Sequence, residues 1–296
     1  MDWKSRRVTA LLEAALVEDK VANDITTALT VDPNLRATGI VLSREPCVVS
    51  GLGCIPVFLE LFAKLTARPV GRFQVISHPE IFDGVRVRKD QALAVIRANA
   101  GSILSLERVI LNLMQRMCGI ATLTNDYVRA VAAAKSRVQI VDTRKTIPGL
   151  RLLDKYAVCC GGGHNDRVDL QDGISIKRNH ISLGGGLPSV LAHAMEGRKP
   201  GQNVRVEVRN SAELEQAIAG AADLILLDNM SAKEVAAAVK QVRKQLPQAR
   251  IEASGSITLS NVADYAKTGV DFIAVGALTH SATAVDLSMR ITADLT

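Results

Sequence analysis

Two short apolar runs in the middle of the chain each end in cations. Residues 138–141 lead into Asp142-Thr143-Arg144-Lys145, and residues 174–176 lead into Lys177-Arg178. Between them a Gly161-Gly162-Gly163 turn precedes His164, Asn165, Asp166 and Arg167. Arginine grips carboxylates and phosphates with two prongs, and lysine meets them as a point charge. Arg144, Lys145, Arg167 and Lys177 therefore suit an anionic ligand. Four later runs also end in groups that can do chemistry. The run 204–208 contains Glu207, and 224–227 is followed by Asp228-Asn229. The run 251–253 enters Ser254-Gly255-Ser256, and 272–275 enters Gly276-Ala277. Glu207 and Asp228 can hold Mg2+ or accept hydrogen bonds from sugar hydroxyls. The last two corners can offer backbone N–H groups to a phosphate.

Each feature also has a plainer reading. A charge run is usually a solvated face. Glu207 could simply pair with Arg205 or Arg209, and Ser-Gly-Ser is often only a turn. Their convergence at the ends of successive runs favours one cationic pocket for a phosphorylated small molecule.

Other chemistries find no support. The five histidines lack metal-ligand spacing, and no Ser-His-Asp arrangement is evident. Gly51-Leu52-Gly53 lacks the third glycine and the strand–helix setting of a dinucleotide fingerprint. Five cysteines, an odd count without a CxxC, point to reduced thiols and a cytoplasmic protein. Cys159 and Cys160, beside the glycine turn, could be reactive, though buried structural thiols are the commoner case. The net charge of +6 admits nucleic acid as a partner, but nine aromatics with no interleaved Lys/Arg run make no stacking platform. No membrane segment is expected: Glu13 interrupts the first apolar patch, and the uncharged run 46–59 is too short to span a bilayer.

These groups need elements to carry them. Val8, Leu11, Leu12, Ala15 and Leu16 share one face of a helix over 5–17, followed by a polar turn through Asp24 and Thr26. Short runs at 38–42, 47–49, 71–76 and 93–96, with a helix over 55–65, describe a β-rich α+β unit. Ser102 caps a helix from Ile103 that Gly119 ends. Its apolar stripe runs from Leu106 to Met117, with Arg108, Asn112 and Gln115 opposite. A second helix covers 123–134. Beyond residue 138, six strands alternate with helices such as 211–219, 233–245 and 260–268. A seventh strand could lie near 156–160, and Gly184-Gly185-Gly186 reads as a mobile loop. A parallel α/β barrel is the natural closure, with an open doubly wound sheet as the alternative.

Across nearly its whole length the chain resembles the quinolinate phosphoribosyltransferases. The resemblance rests on Glu18-Asp19 with Asp24-Ile25-Thr26-Thr27, on Glu107-Arg108 with Leu111-Asn112, and on Gly119-Ile120-Ala121-Thr122. It continues through Asp142-Thr143-Arg144-Lys145-Thr146, Pro148-Gly149-Leu150-Arg151, the Gly161 turn, Asn179-His180 and Glu207-Val208. Leu227-Asp228-Asn229-Met230, Glu252-Ala253-Ser254-Gly255 and Leu278-Thr279-His280-Ser281 complete it.

The resemblance implies an N-terminal α/β sandwich, residues 1–118, which 281–296 could join. It implies an incomplete, seven-stranded α/β barrel over 119–280. It further implies Mg2+, the substrates quinolinate and 5-phosphoribosyl 1-diphosphate, and a homodimer with shared sites that could assemble further. Arg144, Lys145, Arg167 and Lys177, with Thr143, would line the quinolinate and phosphoribosyl pocket, and Arg108 would reach in from the partner subunit. Glu207 and Asp228 would serve ribose and metal. Ser254, Gly255 and Ser256, with Val275, Gly276 and Ala277, would cradle the 5-phosphate. Lys145, Lys177, Glu207 and Asp228 are the expected catalytic set.

Two departures from the family pattern stand out. Asp166 replaces the usual histidine before Arg167, and Arg178 replaces the usual aspartate after Lys177. They could pair and preserve the local charge. Alternatively the acceptor pocket has changed, and the chain is a paralogue using another pyridine or aromatic acid. Asn23 and Ser256 each stand where the family carries glycine.

Overall fold

The computed structural model describes residues 1–66 and 72–294. Gly71, expected to open a strand, lies outside the described residues. Helix α1, Arg6–Glu18, buries Val8, Leu12 and Leu16. Asp24 caps α2, Ile25–Thr30, by accepting the Thr27 N–H at 3.0 Å. That helix lies where only a polar turn was expected. Strand β1, Arg36–Ser43, alternates buried and part-exposed positions along its length. Then come β2, Cys47–Val48, and α3, Cys54–Thr66, whose seven buried side chains include Phe58 and Phe62. Strands β3, Gln74–Ile76, β4, Arg86–Val87, and β5, Ala92–Asn99, complete this β-rich region.

Helix α4 is one continuous element, Ala100–Ala133, where two helices were expected. Asn99, not Ser102, caps it, accepting the Ser102 N–H at 3.2 Å. Gly119 does not end it. A Cβ at Gly119 would lie 2.1 Å from the carbonyl oxygen of Thr283, so glycine serves a close backbone approach within the helix. Gln115, expected on the polar face, donates to the Leu287 carbonyl at 3.0 Å.

Strand β6, Gln139–Val141, is followed by α5, Arg151–Cys160. The candidate seventh strand near 156–160 is therefore helical. The buried Leu153, Asp154, Ala157 and Val158 recur at helical spacing, and Asp154 accepts two hydrogen bonds from Arg116 at 2.8 and 2.7 Å. Next come β7, Ile174–Ile176, α6, Arg178–Leu183, and α7, Leu187–Gly197. The three glycines form the tight corner between these two helices, with Gly186 N–H bonded to Ile181 at 3.0 Å. The regular alternation continues through β8, Val204–Val208, α8, Ser211–Ala219, β9, Leu224–Asp228, and α9, Ala232–Gln245. It closes with β10, Arg250–Ser254, α10, Val262–Ala266, β11, Phe272–Ala274, α11, Ala277–His280, and β12, Leu287–Ala293.

The chain divides into two compact units. The first comprises Met1–Leu123, Thr146–Gly162 and Ser281–Thr296; the second comprises Thr124–Lys145 and Gly163–His280. Helix α4 crosses this division, and the 146–162 segment with α5 belongs to the first unit. There the antiparallel sheet runs β12-β1-β5-β3, with β12 paired along the whole of β1. In the second unit all strands are parallel, in the order β6-β11-β10-β9-β8-β7. A single parallel bridge from His164 to Val141 stands where a seventh strand would be. This is the incomplete α/β barrel that the family resemblance implied. Along β8 the residues Val204, Val206 and Val208 are buried beneath the helices, which turns Arg205 and Glu207 to the opposite, interior face. No helix among the described residues is long and apolar enough to cross a membrane.

Candidate active site

Strand period places the chemistry. Glu207, Asp228 and Ser254 fall at or beside the C-terminal ends of β8, β9 and β10, and Lys177 follows β7 directly. Lys177 Nζ lies 3.7 Å from Glu207 Oε2. Glu207 thus pairs with neither Arg205 nor Arg209; Arg209 pairs instead with Glu213 at 2.7 Å.

The corner after β6 is tied down by its own residues. Thr143 Oγ1 accepts the Lys145 N–H at 3.1 Å, and Thr279 Oγ1 donates to the Lys145 carbonyl at 2.8 Å. A Cβ on Gly276 would come within 3.0 Å of Lys145 Cδ, so the Gly276 backbone and the lysine stem are neighbours. The Asp228 and Ser254 corners interlock as well. Asn229 N–H bonds to the Ser254 carbonyl at 2.9 Å, and Asn229 Nδ2 to Asp228 Oδ2 at 2.8 Å. Gly255, at φ +91°, leaves no room for a side chain, since a Cβ would meet Asn229 Oδ1 at 2.3 Å. Ser256 takes a left-handed φ of +53°, a conformation that glycine reaches at less cost.

Arg144 and Arg167 are both half-buried. Arg144 Nε is buried without a hydrogen-bond partner among the described residues. Arg167 is made less basic than usual by burial and then by the charge of Arg144, with Asp166 opposing the shift. Two guanidinium groups close enough to disturb each other, one with an unused buried donor, have the chemistry to accept a carboxylate-bearing anion.

Beneath the strand ends lies a network that the sequence reading missed. Arg205 donates to both oxygens of Asp166, at 2.8 and 2.5 Å, and its Nη2 lies 3.2 Å from Glu252 Oε2. Asp166 is thus paired with Arg205, whereas Arg178 stands exposed in the first turn of α6. Asp142, fully buried, accepts the Asp166 N–H at 2.8 Å and so braces the loop that carries Arg167. Glu252 is 2% exposed, and burial raises its pKa to about 7. The sequence signal was the strand period itself: Arg205 lies two residues before Glu207, and Glu252 two before Ser254.

A cavity of about 610 Å³ opens on the other side of this network, near Gln139, Leu224, Arg250 and Phe272 at the starts of their strands. Of the expected substrate-binding residues it takes in Arg167 alone. Arg108 lies in the first unit, exposed on α4.

Among the described residues no cluster of three or more His, Cys, Asp or Glu is arranged to hold a metal. The pair Glu207 and Asp228 suits Mg2+ in its usual mode, with one or two carboxylates and the rest of the shell from phosphate oxygens and water. None of the five cysteines is in a disulfide. Cys159 is exposed rather than buried, while burial raises the pKa of Cys160.

Comparison with known proteins bears on the same residues. Residues 24–118 match the family model "Quinolinate phosphoribosyl transferase, N-terminal domain", and residues 120–290 match its C-terminal counterpart. The chain belongs to the quinolinate phosphoribosyltransferase family. It is 39% identical over 282 residues to the nicotinate-nucleotide pyrophosphorylase [carboxylating] of Mycobacterium leprae, covering 95% of each. The solved nicotinate-nucleotide pyrophosphorylase of Francisella tularensis is 36% identical, with a TM-score of 0.83 over 97% of this chain and 96% of its own. Its counterpart from Ehrlichia chaffeensis is 34% identical, with a TM-score of 0.86 over 96% and 98%. Family membership thus covers both units and the strand-end constellation alike.

Proposed function

We propose that this protein transfers the phosphoribosyl group of 5-phosphoribosyl 1-diphosphate to quinolinate. The products are nicotinate mononucleotide, diphosphate and CO2, a step in NAD biosynthesis. The observation that carries the reading is the half-buried Arg144–Arg167 pair at the strand ends that also bear Lys177, Glu207 and Asp228. A pyridine dicarboxylate supplies the negative charge that two adjoining guanidinium groups lack.

The residue types suit the chemistry. The ring nitrogen of quinolinate attacks C1 of the ribose as the bond to diphosphate breaks, and C1 becomes oxocarbenium-like. Lys145 and Lys177 offset the charge gathering on the leaving group. Mg2+, held by Glu207 and Asp228 with diphosphate oxygens, would neutralise part of that charge. Glu207 and Asp228 also offer acceptors to the ribose hydroxyls. The corners Ser254-Gly255-Ser256 and Val275-Gly276-Ala277, with Thr143, hold the 5-phosphate and the acceptor in place. Once alkylated, the ring nitrogen is positive, so it accommodates the electron pair left by CO2 until a proton replaces it. No strong general base is required.

The working unit of this reading is a cytoplasmic homodimer in which Arg108 of the partner subunit completes each site. Ile25 and Leu29 on α2 are 73% and 80% exposed, as suits side chains awaiting a second subunit.

Asp166 and Arg178 raise the alternative of a paralogue acting on another pyridine or aromatic acid. The Arg205 pairing weakens that alternative, because it offsets part of the Asp166 charge. Purified protein should release diphosphate from 5-phosphoribosyl 1-diphosphate only when quinolinate and Mg2+ are both present. A folded sample that shows no such turnover, or that prefers nicotinate in an acceptor screen, would overturn the assignment.

A further inference from the structure

We propose that Arg205 is a positioning residue for acceptor binding: by holding Asp166 in a two-pronged ion pair beside Glu252, it limits that carboxylate's hold on Arg167. The proposal rests on the function proposed above and concerns the acceptor half of the same site.

Asp166 precedes Arg167 in the chain, so its carboxylate is the nearest internal competitor for that guanidinium. A guanidinium engaged by an internal carboxylate is less available to a carboxylate arriving on a substrate. Two contacts draw Asp166 away. Its backbone N–H is anchored by Asp142 at 2.8 Å, and both its carboxylate oxygens are held by Arg205 at 2.8 and 2.5 Å. The network sits one strand step below the reacting groups, with Arg205 under Glu207 on β8 and Glu252 under Ser254 on β10. It can therefore act on acceptor binding without touching the acceptor. Both residues are secluded: the Arg205 and Asp166 side chains are 17% and 14% exposed.

Glu252 decides how the site responds to the loss of Arg205. The charged groups facing it are Arg205 from β8, Asp166 from the loop after His164, and Lys177 beyond β7. Its register neighbours on β9 and β11 are Leu226 and Phe272. Already close to neutral, Glu252 takes up a proton once Arg205 is gone. Asp166 then loses its two-pronged partner, and Arg167, whose basicity it already raises, is the guanidinium beside it in the chain.

A double-mutant cycle tests this. Quinolinate and 5-phosphoribosyl 1-diphosphate kinetics are measured with saturating Mg2+ for wild type, Arg205→Met, Asp166→Asn and the double variant. Circular dichroism checks that each is folded. Arg205→Met should raise the quinolinate KM by about tenfold or more, leaving the 5-phosphoribosyl 1-diphosphate KM within about twofold. Adding Asp166→Asn should return the quinolinate KM to within about threefold of wild type. Arg205→Lys keeps the charge but loses the two-pronged grip, so it should fall between, and it stands in should Arg205→Met not fold. A double variant as impaired as Arg205→Met, or equal losses for both substrates, overturns the proposal and leaves a merely structural role. If Arg205→Met does not fold, a wild-type quinolinate KM in Arg205→Lys overturns it too. A wild type without quinolinate-dependent turnover overturns the functional reading and this proposal together. Normal wild-type turnover with no selective KM effect overturns this proposal alone.

Discussion

The Glu252 carboxyl sits where burial and neighbouring charge compete. Its pKa rises from 4.5 to about 7, chiefly through burial, with Arg205 and Lys177 opposing and Asp166 assisting. Between those values the folded protein binds a proton that the unfolded chain releases. The associated stability is fully present below pH 4.5 and is lost as pH rises through 7. Glu252→Gln removes that dependence. Its stability relative to wild type should rise by about 2–3 kcal/mol between pH 5 and pH 8. Urea unfolding of both proteins at the two pH values measures the difference. A gap that does not change with pH would mean that Arg205 keeps Glu252 ionised throughout. The charge state of the trio bears on the site above it, because Arg205 divides its attraction between two carboxylates. As Glu252 ionises, Arg205 faces a second full charge, yet its hydrogen bonds remain with Asp166.

Gly119 separates a local from a tertiary explanation at the scale of the element. Read along the sequence, a glycine after an apolar stripe ends a helix. In the fold it lies inside α4, where a methyl group in place of its hydrogen would stand 2.1 Å from the Thr283 carbonyl oxygen. The two explanations predict opposite signs. By helix propensity alone, Gly119→Ala should stabilise by about 1 kcal/mol. With a backbone oxygen in the way, it should destabilise by about 1–3 kcal/mol or more. The urea midpoint of Gly119→Ala, compared with wild type, decides, and a lower midpoint is expected. The same contrast explains what the sequence made legible. Strands β8 to β11 were readable to within a residue or two, because their apolar runs and polar ends are local signals. So were the cations after β6 and β7. Helix α5 was not, since its buried Asp154 makes sense only opposite Arg116, 38 residues away. Strand β12 was not, because its partner β1 lies some 250 residues earlier in the chain and its own residues alternate only weakly. The Asp166–Arg205–Glu252 network joins three strand or loop positions far apart in sequence. Only the strand period hinted that they share one face.

Across the whole molecule, one expected contact stands apart from the rest. The groups proposed to bind substrate lie in the second compact unit, except Arg108, which lies in the first. The functional reading gives Arg108 to the site of the partner subunit, so each site draws residues from two chains. Two variants test this sharing. Arg108→Ala should be inactive as a homodimer, because each site loses a cation for the acceptor. Lys177→Ala should be inactive because each site loses the lysine that faces the leaving group. In a heterodimer of the two, one site carries both changes and the other carries neither. Equal mixing with free exchange makes about half the dimers heterodimers, so about one quarter of wild-type activity should return. Activity is followed against time after mixing, alongside subunit exchange measured with differently labelled chains. Activity that rises in step with heterodimer content supports a shared site. Complete exchange with no recovered activity places Arg108 and Lys177 in the service of the same chain's site, and Arg108 would then have to be reassigned.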